Sequence, residues 1–287
     1  MAGKEAIKLK LTAPTVVKSL LAQYELRPSK GLGQNFLINE HYLEQIVAAA
    51  AVTPAEVVVE IGPGLGALTR ALAPAAGRVI AIEKDERLQP LLQTVLADLP
   101  QVELLLQDAL QVDYQQLVGE ARPAKVVANL PYYITTPLVT RLLEQEIAWR
   151  SLVLLVQSEV AERMLATPGS KEYGLLGVMI QCEYEVMTVA RVPASAFYPA
   201  PKVASTVVKL CPLASRGALP VSRAWLWQVL RAAFAQRRKT LLNALSANLP
   251  LTKGQIKGAL LDLGLKADIR GEDLTPEQFI QLAALLV

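Results

Sequence analysis

Short apolar runs alternate with amphipathic stretches through the middle of the chain. Each run is almost wholly apolar, which is typical of strands buried on both faces of a parallel sheet; the runs cover residues 57–61, 78–82, 102–106 and 125–128. Helical spacing of apolar side chains, such as Leu68 and Leu72 after the first run, separates them. Alternating strands and helices predict an α/β fold from about residue 53 to residue 212.

The two ends of the chain carry helical patterns without this alternation. An amphipathic pattern at residues 15–24 precedes the α/β body. Residues 213–220, which include Gly217 and Pro220, indicate a linker. Beyond the linker, apolar side chains recur at helical spacing in residues 225–230, 241–245, 256–263 and 279–286. The carboxyl-terminal part is therefore predicted to be a small all-α domain.

A glycine-rich loop follows the first strand. Gly62, Gly64 and Gly66 let a ligand approach the backbone, and the next helix begins with free N–H groups that can face it. The dinucleotide fingerprint G-x-G-x-x-G is not met, because Ala67 stands where its third glycine is needed. Glu60, just before the loop, disfavours a pyrophosphate and suits a ligand with an amino group and a sulfonium.

Acidic side chains follow the next two strands. Glu83 ends the second strand, 21 residues after Gly62, where a carboxylate can accept hydrogen bonds from ribose hydroxyls. A solvated surface glutamate is the alternative interpretation. Asp108 follows the third strand at the same predicted edge, where it could hold an adenine amino group.

A polar motif follows the fourth strand. Its residues are Asn129, Leu130, Pro131 and Tyr132. The side-chain oxygen of Asn129 and a neighbouring backbone carbonyl can accept both protons of an exocyclic amine, while Pro131 stiffens the backbone and Tyr132 offers a face for stacking. Such a turn can also be mere loop punctuation. As a binding motif, it indicates a nucleobase with an NH2 group, adenine above all.

The glycine loop, Glu83, Asp108 and Asn129 follow successive strands and line one crevice, which is the layout expected for S-adenosylmethionine. Several segments, in the same order, resemble motifs of ribosomal RNA adenine dimethyltransferases of the small-subunit type. These segments are residues 33–37, 60–66, 129–133, 195–203, 234–241 and 270–274. The resemblance extends through nearly the whole chain.

The resemblance implies a fold and a set of site residues. It implies a Rossmann-like S-adenosylmethionine-dependent methyltransferase domain with an amino-terminal extension at residues 1–212, and a helical RNA-binding domain at residues 213–287. Cofactor contacts are implied at Asn35, Leu37, Gly62, Gly64, Glu83, Asp108 and Asn129. Contacts to the target base are implied at Asn129, Leu130, Pro131, Tyr132 and Phe197, with Tyr132 and Phe197 stacking on it.

The resemblance also implies the reaction and its substrate. The expected reaction is dimethylation of N6 in two adjacent adenosines of the 3′-terminal hairpin loop of small-subunit (16S) rRNA. The expected partner is this RNA within an immature ribosomal particle, which gives the protein a role in small-subunit biogenesis. Two residues depart from the family pattern, namely Ser158, where lysine is more usual, and Ala204, where aspartate is common.

Positive charge is concentrated at the two ends of the chain. The net charge is +3, but residues 213–287 carry ten Lys and Arg against five Asp and Glu, and residues 1–40 carry six against three. The middle is therefore acidic. Arg237, Arg238 and Lys239 could form a merely solvated helix face, but a base-modifying enzyme also needs phosphate contacts to position the strand. These three residues are predicted to bind RNA.

Composition narrows the remaining possibilities. The chain has 287 residues, 52% of them hydrophobic, and only two cysteines, Cys182 and Cys211, so no disulfide framework is indicated and a cytoplasmic protein is expected. Neither a signal-peptide pattern nor a membrane-spanning run is found in the sequence. His41 is the only histidine and has no partners at metal-ligand spacing, so no metal is expected. A monomer is expected.

Two alternative functions remain open at this point. One is adenine methylation of another nucleic acid, either large-subunit rRNA, as in the antibiotic-resistance type, or DNA. Leu130 and the tail with Arg270, Gly271 and Glu272 favour the small-subunit type. The other alternative is a non-catalytic ribosome assembly factor.

Overall fold

The structure is a computed structural model that describes residues 10–119, 123–145, 147–214 and 219–287. Within these ranges, nine strands are found: β1 Phe36–Leu37, β2 Val57–Ile61, β3 Arg78–Glu83, β4 Val102–Leu106, β5 Ala124–Asn129, β6 Trp149–Gln157, β7 Tyr184–Val192, β8 Phe197–Tyr198 and β9 Ser205–Pro212. The predicted amino-terminal extension lies partly outside the described residues, as do residues 215–218 of the predicted linker.

A mixed sheet of seven strands forms the centre of the α/β part, in the order β4-β3-β2-β5-β6-β9-β7. The pairs β2–β3, β3–β4, β2–β5 and β5–β6 are parallel. The chain order runs outward from β2 through β3 to β4, and then returns to the other side of β2 with β5 and β6. Between β2 and β5 the sheet therefore has a topological switch point, where α/β proteins form a crevice at the carboxyl ends of the strands.

The four predicted strands are confirmed as β2 to β5. Every residue of β2 is buried, and so is every residue of β5 except Asn129 at its end. This burial explains why the strands appear in the sequence as continuous apolar runs, because helices cover both faces of a parallel sheet.

Twelve α-helices occur in the described residues, and they include the predicted amino-terminal and carboxyl-terminal ones. They are α1 Pro14–Gln23, α2 Glu40–Ala50, α3 Ala67–Leu72, α4 Gln89–Val95, α5 Tyr114–Val118, α6 Thr135–Glu144, α7 Ser158–Leu165, α8 Leu175–Gln181, α9 Arg223–Phe234, α10 Leu241–Asn248, α11 Lys253–Asp262 and α12 Pro276–Leu285. No helix in these ranges is both long and apolar enough to cross a membrane.

The chain forms two compact units. The first contains the described residues of Met1–Leu138, Ile147–Ser158 and Thr188–Lys209, and the second contains those of Val139–Glu146, Glu159–Met187 and Leu210–Val287. The second unit thus combines the carboxyl-terminal helices with earlier segments of the chain. The division into domains at residues 212 and 213 stays a prediction.

In the first unit, a two-stranded sheet joins the amino-terminal segment to a later part of the chain. Strand β1 pairs with β8 in antiparallel register, with Phe36 opposite Tyr198 and Leu37 opposite Phe197. Helix α1 packs its buried face, which includes Val17 and Leu21, into the same cluster as Phe36. This packing fixes the segment that precedes Phe36.

In the second unit, aromatic side chains form part of the core. The ring of Phe234 lies 6.3 Å from that of Tyr173 and 5.7 Å from that of Phe279. The Tyr173 hydroxyl donates to the carbonyl of Leu274 at 2.7 Å. These contacts hold α9 and α12 together with the segment that precedes α8.

Candidate active site

A cleft in the first unit lies at the carboxyl ends of β2 to β5, beside the switch point of the sheet. It brings together most of the residues predicted to bind a cofactor or a base. Its lining includes Asn35, Leu37, Gly62, Gly64, Glu83, Asp108, Asn129, Leu130, Pro131 and Tyr132. Residues far apart in sequence therefore share one site, as the strand order predicts.

The glycine loop bends closely around its neighbours. Gly62 and Gly64 have φ angles of +71° and +58°, a region that residues with a side chain rarely adopt. A Cβ on Gly64 would lie 3.0 Å from the ring of Phe36, and one on Gly62 would lie 3.6 Å from Pro131. Glycine is thus required here both by backbone conformation and, at Gly64, by space.

Asn129 is oriented by the amino-terminal segment. Its side-chain Nδ2 donates to the backbone carbonyl of Asn35 at 3.1 Å, and the Asn35 side chain donates in turn to the carbonyl of Gly33 at 3.0 Å. No donor in the described part of the chain reaches Oδ1 of Asn129. The amide is therefore held with its acceptor atom available.

Two backbone carbonyls follow Asn129, and they differ in their partners. The Pro131 carbonyl accepts from the Ile134 N–H at 3.2 Å and from the Thr135 hydroxyl at 3.1 Å. Leu130 donates its N–H to the Leu155 carbonyl at 3.1 Å, whereas its own carbonyl has no donor among the described residues. The Leu130 carbonyl is consequently the better second acceptor for an amine.

Tyr132 begins a short 3-10 helix, Tyr132–Ile134, directly after Pro131. Its ring is half-buried, and its hydroxyl forms a 2.5 Å hydrogen bond with the Ser205 hydroxyl. Burial raises the pKa of the Tyr132 phenol, and the bond to Ser205 partly offsets the rise. The side chain is therefore a neutral aromatic group that is fixed at its far end.

Glu83 and Asp108 meet different electrostatic surroundings. Glu83 is buried and accepts from the N–H of Asp85 at 2.8 Å and from that of Gly64 at 3.4 Å, and burial raises its pKa. Asp108 pairs with Lys84 at 2.8 Å, and this hydrogen bond holds the pKa of Asp108 below its usual range. The cleft thus offers two carboxyl groups at the ends of adjacent strands.

Glu60 was not among the predicted site residues, although its position before the glycine loop pointed to it. It lines the cleft with only 1% of its surface exposed, and its Oε2 has no hydrogen-bond partner among the described residues. Burial raises the pKa of Glu60 to about 8, and the nearby Glu83 carboxyl adds to this rise, whereas the nearby Thr69 hydroxyl opposes it. An unpartnered buried carboxyl suits a cationic ligand group.

Gln34 is a second residue that sequence reasoning missed. Its side-chain Nε2 donates to Asp85 at 2.8 Å, and its Oε1 accepts from the N–H of Ser29 at 2.7 Å. Asp85 also donates its N–H to Glu83. Gln34 therefore ties the amino-terminal segment to the end of β3, a link that depends on tertiary structure and leaves no pattern in the sequence.

Phe197 is not among the residues that line the cleft, although its strand partner Leu37 is. It is 2% exposed and packs in the core with Leu37, its partner in the β1–β8 pair, and with Ile46. Contact between Phe197 and a base stays a prediction.

The predicted RNA-binding residues lie in the second unit, in the loop after α9. Arg237, Arg238 and Lys239 are exposed. Arg237 donates to the Glu272 carboxylate at 2.8 Å and to the Lys171 carbonyl at 2.5 Å, whereas Arg238 and Lys239 have no ion pair within the described ranges. Contact with RNA stays a prediction for all three.

Metal ligands do not converge in the part of the chain that the structure describes, where no three His, Cys, Asp or Glu side chains are placed to hold an ion. His41 instead shares a 3.2 Å hydrogen bond with Gln45.

Comparison with known proteins identifies the family. The family described as "Ribosomal RNA adenine dimethylase" matches residues 26–286. The chain belongs to this family. Its members are S-adenosylmethionine-dependent rRNA adenine dimethyltransferases, so the chain is an enzyme of this class, and the resemblance found in its motifs is confirmed.

Relatives of this dimethylase match the chain almost end to end. The "Ribosomal RNA small subunit methyltransferase A" of Alkaliphilus metalliredigens is 44% identical over 279 residues, which cover 95% of this chain and 96% of that protein. The protein of the same name from Moorella thermoacetica is 45% identical over 285 residues, covering 96% and 98%. The two matches therefore cover nearly all of this chain and nearly all of each relative.

Two solved structures resemble this dimethylase in fold. A dimethyladenosine transferase from Plasmodium falciparum has a TM-score of 0.72 with 28% identity and covers 86% of this chain and 95% of its own. The 23S rRNA methyltransferase ErmE has a TM-score of 0.65 with 26% identity and covers 88% and 99%. The predicted fold class, a Rossmann-like methyltransferase with a helical carboxyl-terminal region, is confirmed.

The cleft of this dimethylase fits S-adenosylmethionine by the chemistry of its lining. The cofactor carries an ammonium group, a ribose diol and an adenine amine, which all donate hydrogen bonds. The lining supplies carboxyl groups at Glu60, Glu83 and Asp108, and Glu60 has an oxygen without a partner. Gly62 and Gly64 have no side chains, so the backbone of the glycine loop is open to a ligand in the cleft. A pyrophosphate would be repelled by Asp108, whose lowered pKa keeps it ionised.

Proposed function

We propose that this chain dimethylates N6 of two adjacent adenosines in the 3′-terminal hairpin loop of small-subunit (16S) rRNA. The observation that carries the proposal is the orientation of Asn129, whose Nδ2 is engaged by Asn35 while Oδ1 has no donor among the described residues. An amine donates hydrogen bonds and therefore needs acceptors. Because Nδ2 of Asn129 is engaged by Asn35, the acceptor Oδ1 is the end of the amide that remains for the amine. The names of the curated relatives support small-subunit rRNA as the target.

The adenine amine is held by two acceptors. Asn129 Oδ1 and the Leu130 carbonyl take its two protons, whereas the Pro131 carbonyl is already occupied by Ile134 and Thr135. Because the nitrogen lone pair is conjugated into the ring, these hydrogen bonds favour a pyramidal nitrogen, and they strengthen as positive charge develops on it. Acceptors that act more strongly in the transition state than in the ground state raise the rate.

The other side chains position the base and the cofactor. Tyr132 offers its ring as a stacking face for an adenine outside its helix. Glu83 binds ribose hydroxyls, Asp108 the adenine amine of the cofactor, and Glu60 its ammonium group. When bound, S-adenosylmethionine supplies an electrophilic methyl group for direct transfer. No residue of the cleft is needed as a covalent nucleophile.

We propose an immature small-subunit particle as the substrate and a cytoplasmic, metal-free monomer as the active form. Arg237, Arg238 and Lys239 bind phosphates of the surrounding RNA, which fix orientation without reading bases. Specificity then depends on shape, and loop adenines within a folded particle are already partly unstacked.

The strongest alternative is methylation of large-subunit rRNA. The similarity in fold to the 23S rRNA methyltransferase ErmE favours this alternative, whereas the higher identity to proteins named for the small subunit favours the first proposal. A purely non-catalytic assembly factor is disfavoured, because it would not need a carboxyl-lined cleft with an oriented asparagine.

Incorporation of labelled methyl groups distinguishes these functions. Four substrates are compared: immature small-subunit particles, mature small subunits, naked 16S rRNA and large-subunit rRNA. We expect label in the immature particle, with N6,N6-dimethyladenosine found by mass spectrometry at two adjacent positions. Greater labelling of large-subunit rRNA would support the alternative. Equal labelling of naked 16S rRNA and particles would contradict the proposed substrate, and no label in any substrate would support an assembly factor.

A further inference from the structure

A hydrogen bond links the base-binding motif to a strand that begins 73 residues later. The hydroxyls of Tyr132 and Ser205 are 2.5 Å apart, so one donates and the other accepts. Ser205 is the first residue of β9 and is fully buried. Because Tyr132 is half-buried beside the cleft, this bond fixes the outer end of an aromatic side chain that lines the site.

The strand around Ser205 is itself held firmly. The N–H of Ser158 donates to the Ala204 carbonyl at 3.0 Å, and the Ser158 hydroxyl shares a 3.0 Å hydrogen bond with the hydroxyl of Thr206. The residues on both sides of Ser205 are thus fixed to the start of α7. Ser205 is therefore a rigid partner rather than a mobile surface hydroxyl.

A tyrosine side chain turns about two torsions, and backbone packing alone does not set both. Pro131 determines where the backbone of Tyr132 starts, and the hydroxyl bond determines where the ring ends. Because the hydroxyl lies on the Cβ–Cγ axis, the bond fixes χ1 and hence the position of the ring, while the packing of the half-buried ring restrains its rotation about that axis. A flat base that stacks on this ring takes its position in the cleft from it.

We propose that Ser205 is a positioning residue for methyl transfer, which holds the Tyr132 ring in the place against which the target adenine lies. The proposal rests on the proposed function, since it takes Tyr132 as the stacking face. Ser205 does not line the cleft itself and acts only through the Tyr132 hydroxyl.

The structure provides a matched control in the hydroxyl pair of Ser158 and Thr206. This pair is also part-buried, is 3.0 Å long and joins the same strand start, but neither residue lines the cleft. Ser158→Ala therefore removes a side-chain hydrogen bond but keeps the backbone bond from residue 158 to Ala204, which still holds the strand start, and the bond between Tyr132 and Ser205.

The test is a double-mutant cycle with Ser205→Ala and Tyr132→Phe, alone and combined, beside Ser158→Ala. Single-turnover methyl transfer, substrate KM, cofactor affinity and thermal stability are measured on immature small-subunit particles. We expect each single change at the Tyr132–Ser205 pair to lower kcat about tenfold, with cofactor affinity within twofold. The combined variant should be no slower than the slower single variant, because both changes break one bond.

The control variant Ser158→Ala should lower Tm by about as much as Ser205→Ala does, about 2 to 4 °C, yet keep kcat within twofold of the parent. Parent-like turnover in Ser205→Ala, additive losses in the combined variant, or an equal kcat loss in Ser158→Ala would each overturn the proposal. Should Ser205→Ala fail to fold, Tyr132→Phe breaks the same bond from the other side, and parent-like turnover in that variant would also overturn it.

Failure of the proposed function gives a different result. In that case the parent protein itself leaves the small-subunit particle unlabelled, and the same four variants are compared with the parent on large-subunit rRNA. The positioning role predicts the same cycle there, since it concerns the ring and not the identity of the RNA.

Discussion

Glu60 and Glu83 in the cleft are 1% and 7% exposed, whereas Arg237, Arg238 and Lys239 in the loop after α9 are all exposed. Burial shifts the pKa of both glutamates upward. The basic loop is solvated, so its charges are screened by salt and each contributes little. The buried cleft and the exposed basic loop are thus expected to differ in how strongly a single substitution affects binding.

The difference also concerns geometry. Asn129 and Tyr132 are fixed by hydrogen bonds to Asn35 and Ser205, and Glu83 by two backbone N–H groups. Arg238 and Lys239 have no comparable restraint among the described residues. Phosphates lie along a flexible strand, so long mobile cations serve them, whereas methyl transfer needs fixed directions.

Among substitutions in the cleft, Asn129→Ala should cause the largest loss of methyl-transfer activity. We expect at least ~2 kcal/mol of barrier lowering to be lost, because the oriented acceptor acts in the transition state, while cofactor affinity stays largely intact. Single-turnover labelling and calorimetry measure the two effects. Asn129→Asp retains an acceptor oxygen but cannot donate to Asn35, so it separates the two roles. Parent-like turnover in Asn129→Ala would remove Asn129 from the reaction.

Glu83→Ala should weaken S-adenosylmethionine binding by ~1.5 to 3 kcal/mol, since the ribose hydroxyls lose a charged acceptor. Calorimetric titration of the cofactor measures the change. Glu86→Ala is the matched control, because Glu86 follows closely in the chain but is exposed. Unchanged affinity in Glu83→Ala, or an equal loss in the control, would exclude the ribose role.

Glu60→Gln should alter how stability depends on pH. The pKa of Glu60 is raised to about 8 in the folded protein, so the folded state binds more protons than the unfolded state between the ordinary pKa of a glutamate, 4.5, and this value. The free energy of unfolding therefore falls as pH rises through this window, and glutamine removes that loss. The free energy of unfolding of Glu60→Gln minus that of the parent should be about 1 to 3 kcal/mol higher at pH 8 than at pH 5.

Urea unfolding without cofactor, at several pH values between 5 and 8.5, measures this difference between parent and variant. Parallel pH profiles would show that Glu60 does not retain its proton in the folded protein. The same variant should bind S-adenosylmethionine more weakly above pH 8, where the carboxylate of the parent faces the ammonium group.

Replacing Arg237, Arg238 and Lys239 by alanine should have the smallest effect per residue. We expect weaker particle binding and a flatter salt dependence, with a slope change of about 0.7 to 0.9 for each phosphate that the variant no longer neutralises. Cofactor affinity should not change. Binding measured from low to high salt tests this, and a variant with the parent's slope would exclude the loop from the RNA interface.

A matched pair of variants sharpens the last result. Arg238 and Lys239 can be compared with Lys253 and Lys257, which carry the same charge on another exposed part of the second unit. Equal effects of the two double alanine variants would indicate net charge rather than a defined surface. Arg237 is left in place because its bond to Glu272 gives it a structural role as well.

Strands and site residues could be predicted from the sequence where one short segment contains all the residues that define them. Strands β2 to β5 are continuous apolar runs, so their positions could be predicted, and the parallel order then brings Gly62, Glu83, Asp108 and Asn129 to one edge. Local spacing was sufficient for these residues because each follows its own strand directly.

Contacts between distant segments could not be predicted in the same way. The bonds of Gln34 to Asp85, Asn35 to Asn129 and Tyr132 to Ser205 join residues 51, 94 and 73 positions apart. The burial of Phe197 depends on the pairing of β1 with β8. Likewise, the segments Val139–Glu146 and Glu159–Met187 belong to the second compact unit through packing, which chain order does not reveal.

The long sequence separation of Asn129 from Asn35, and of Tyr132 from Ser205, has a consequence for biosynthesis. Asn35 leaves the ribosome first and meets Asn129 only after 94 further residues have been made, and Ser205 follows another 73 residues after Tyr132. A nascent chain that ends before Ser205 already contains every carboxyl group of the cleft. Such a chain still lacks the hydroxyl that fixes Tyr132, so the bond between Tyr132 and Ser205 is the last of these contacts that synthesis makes possible.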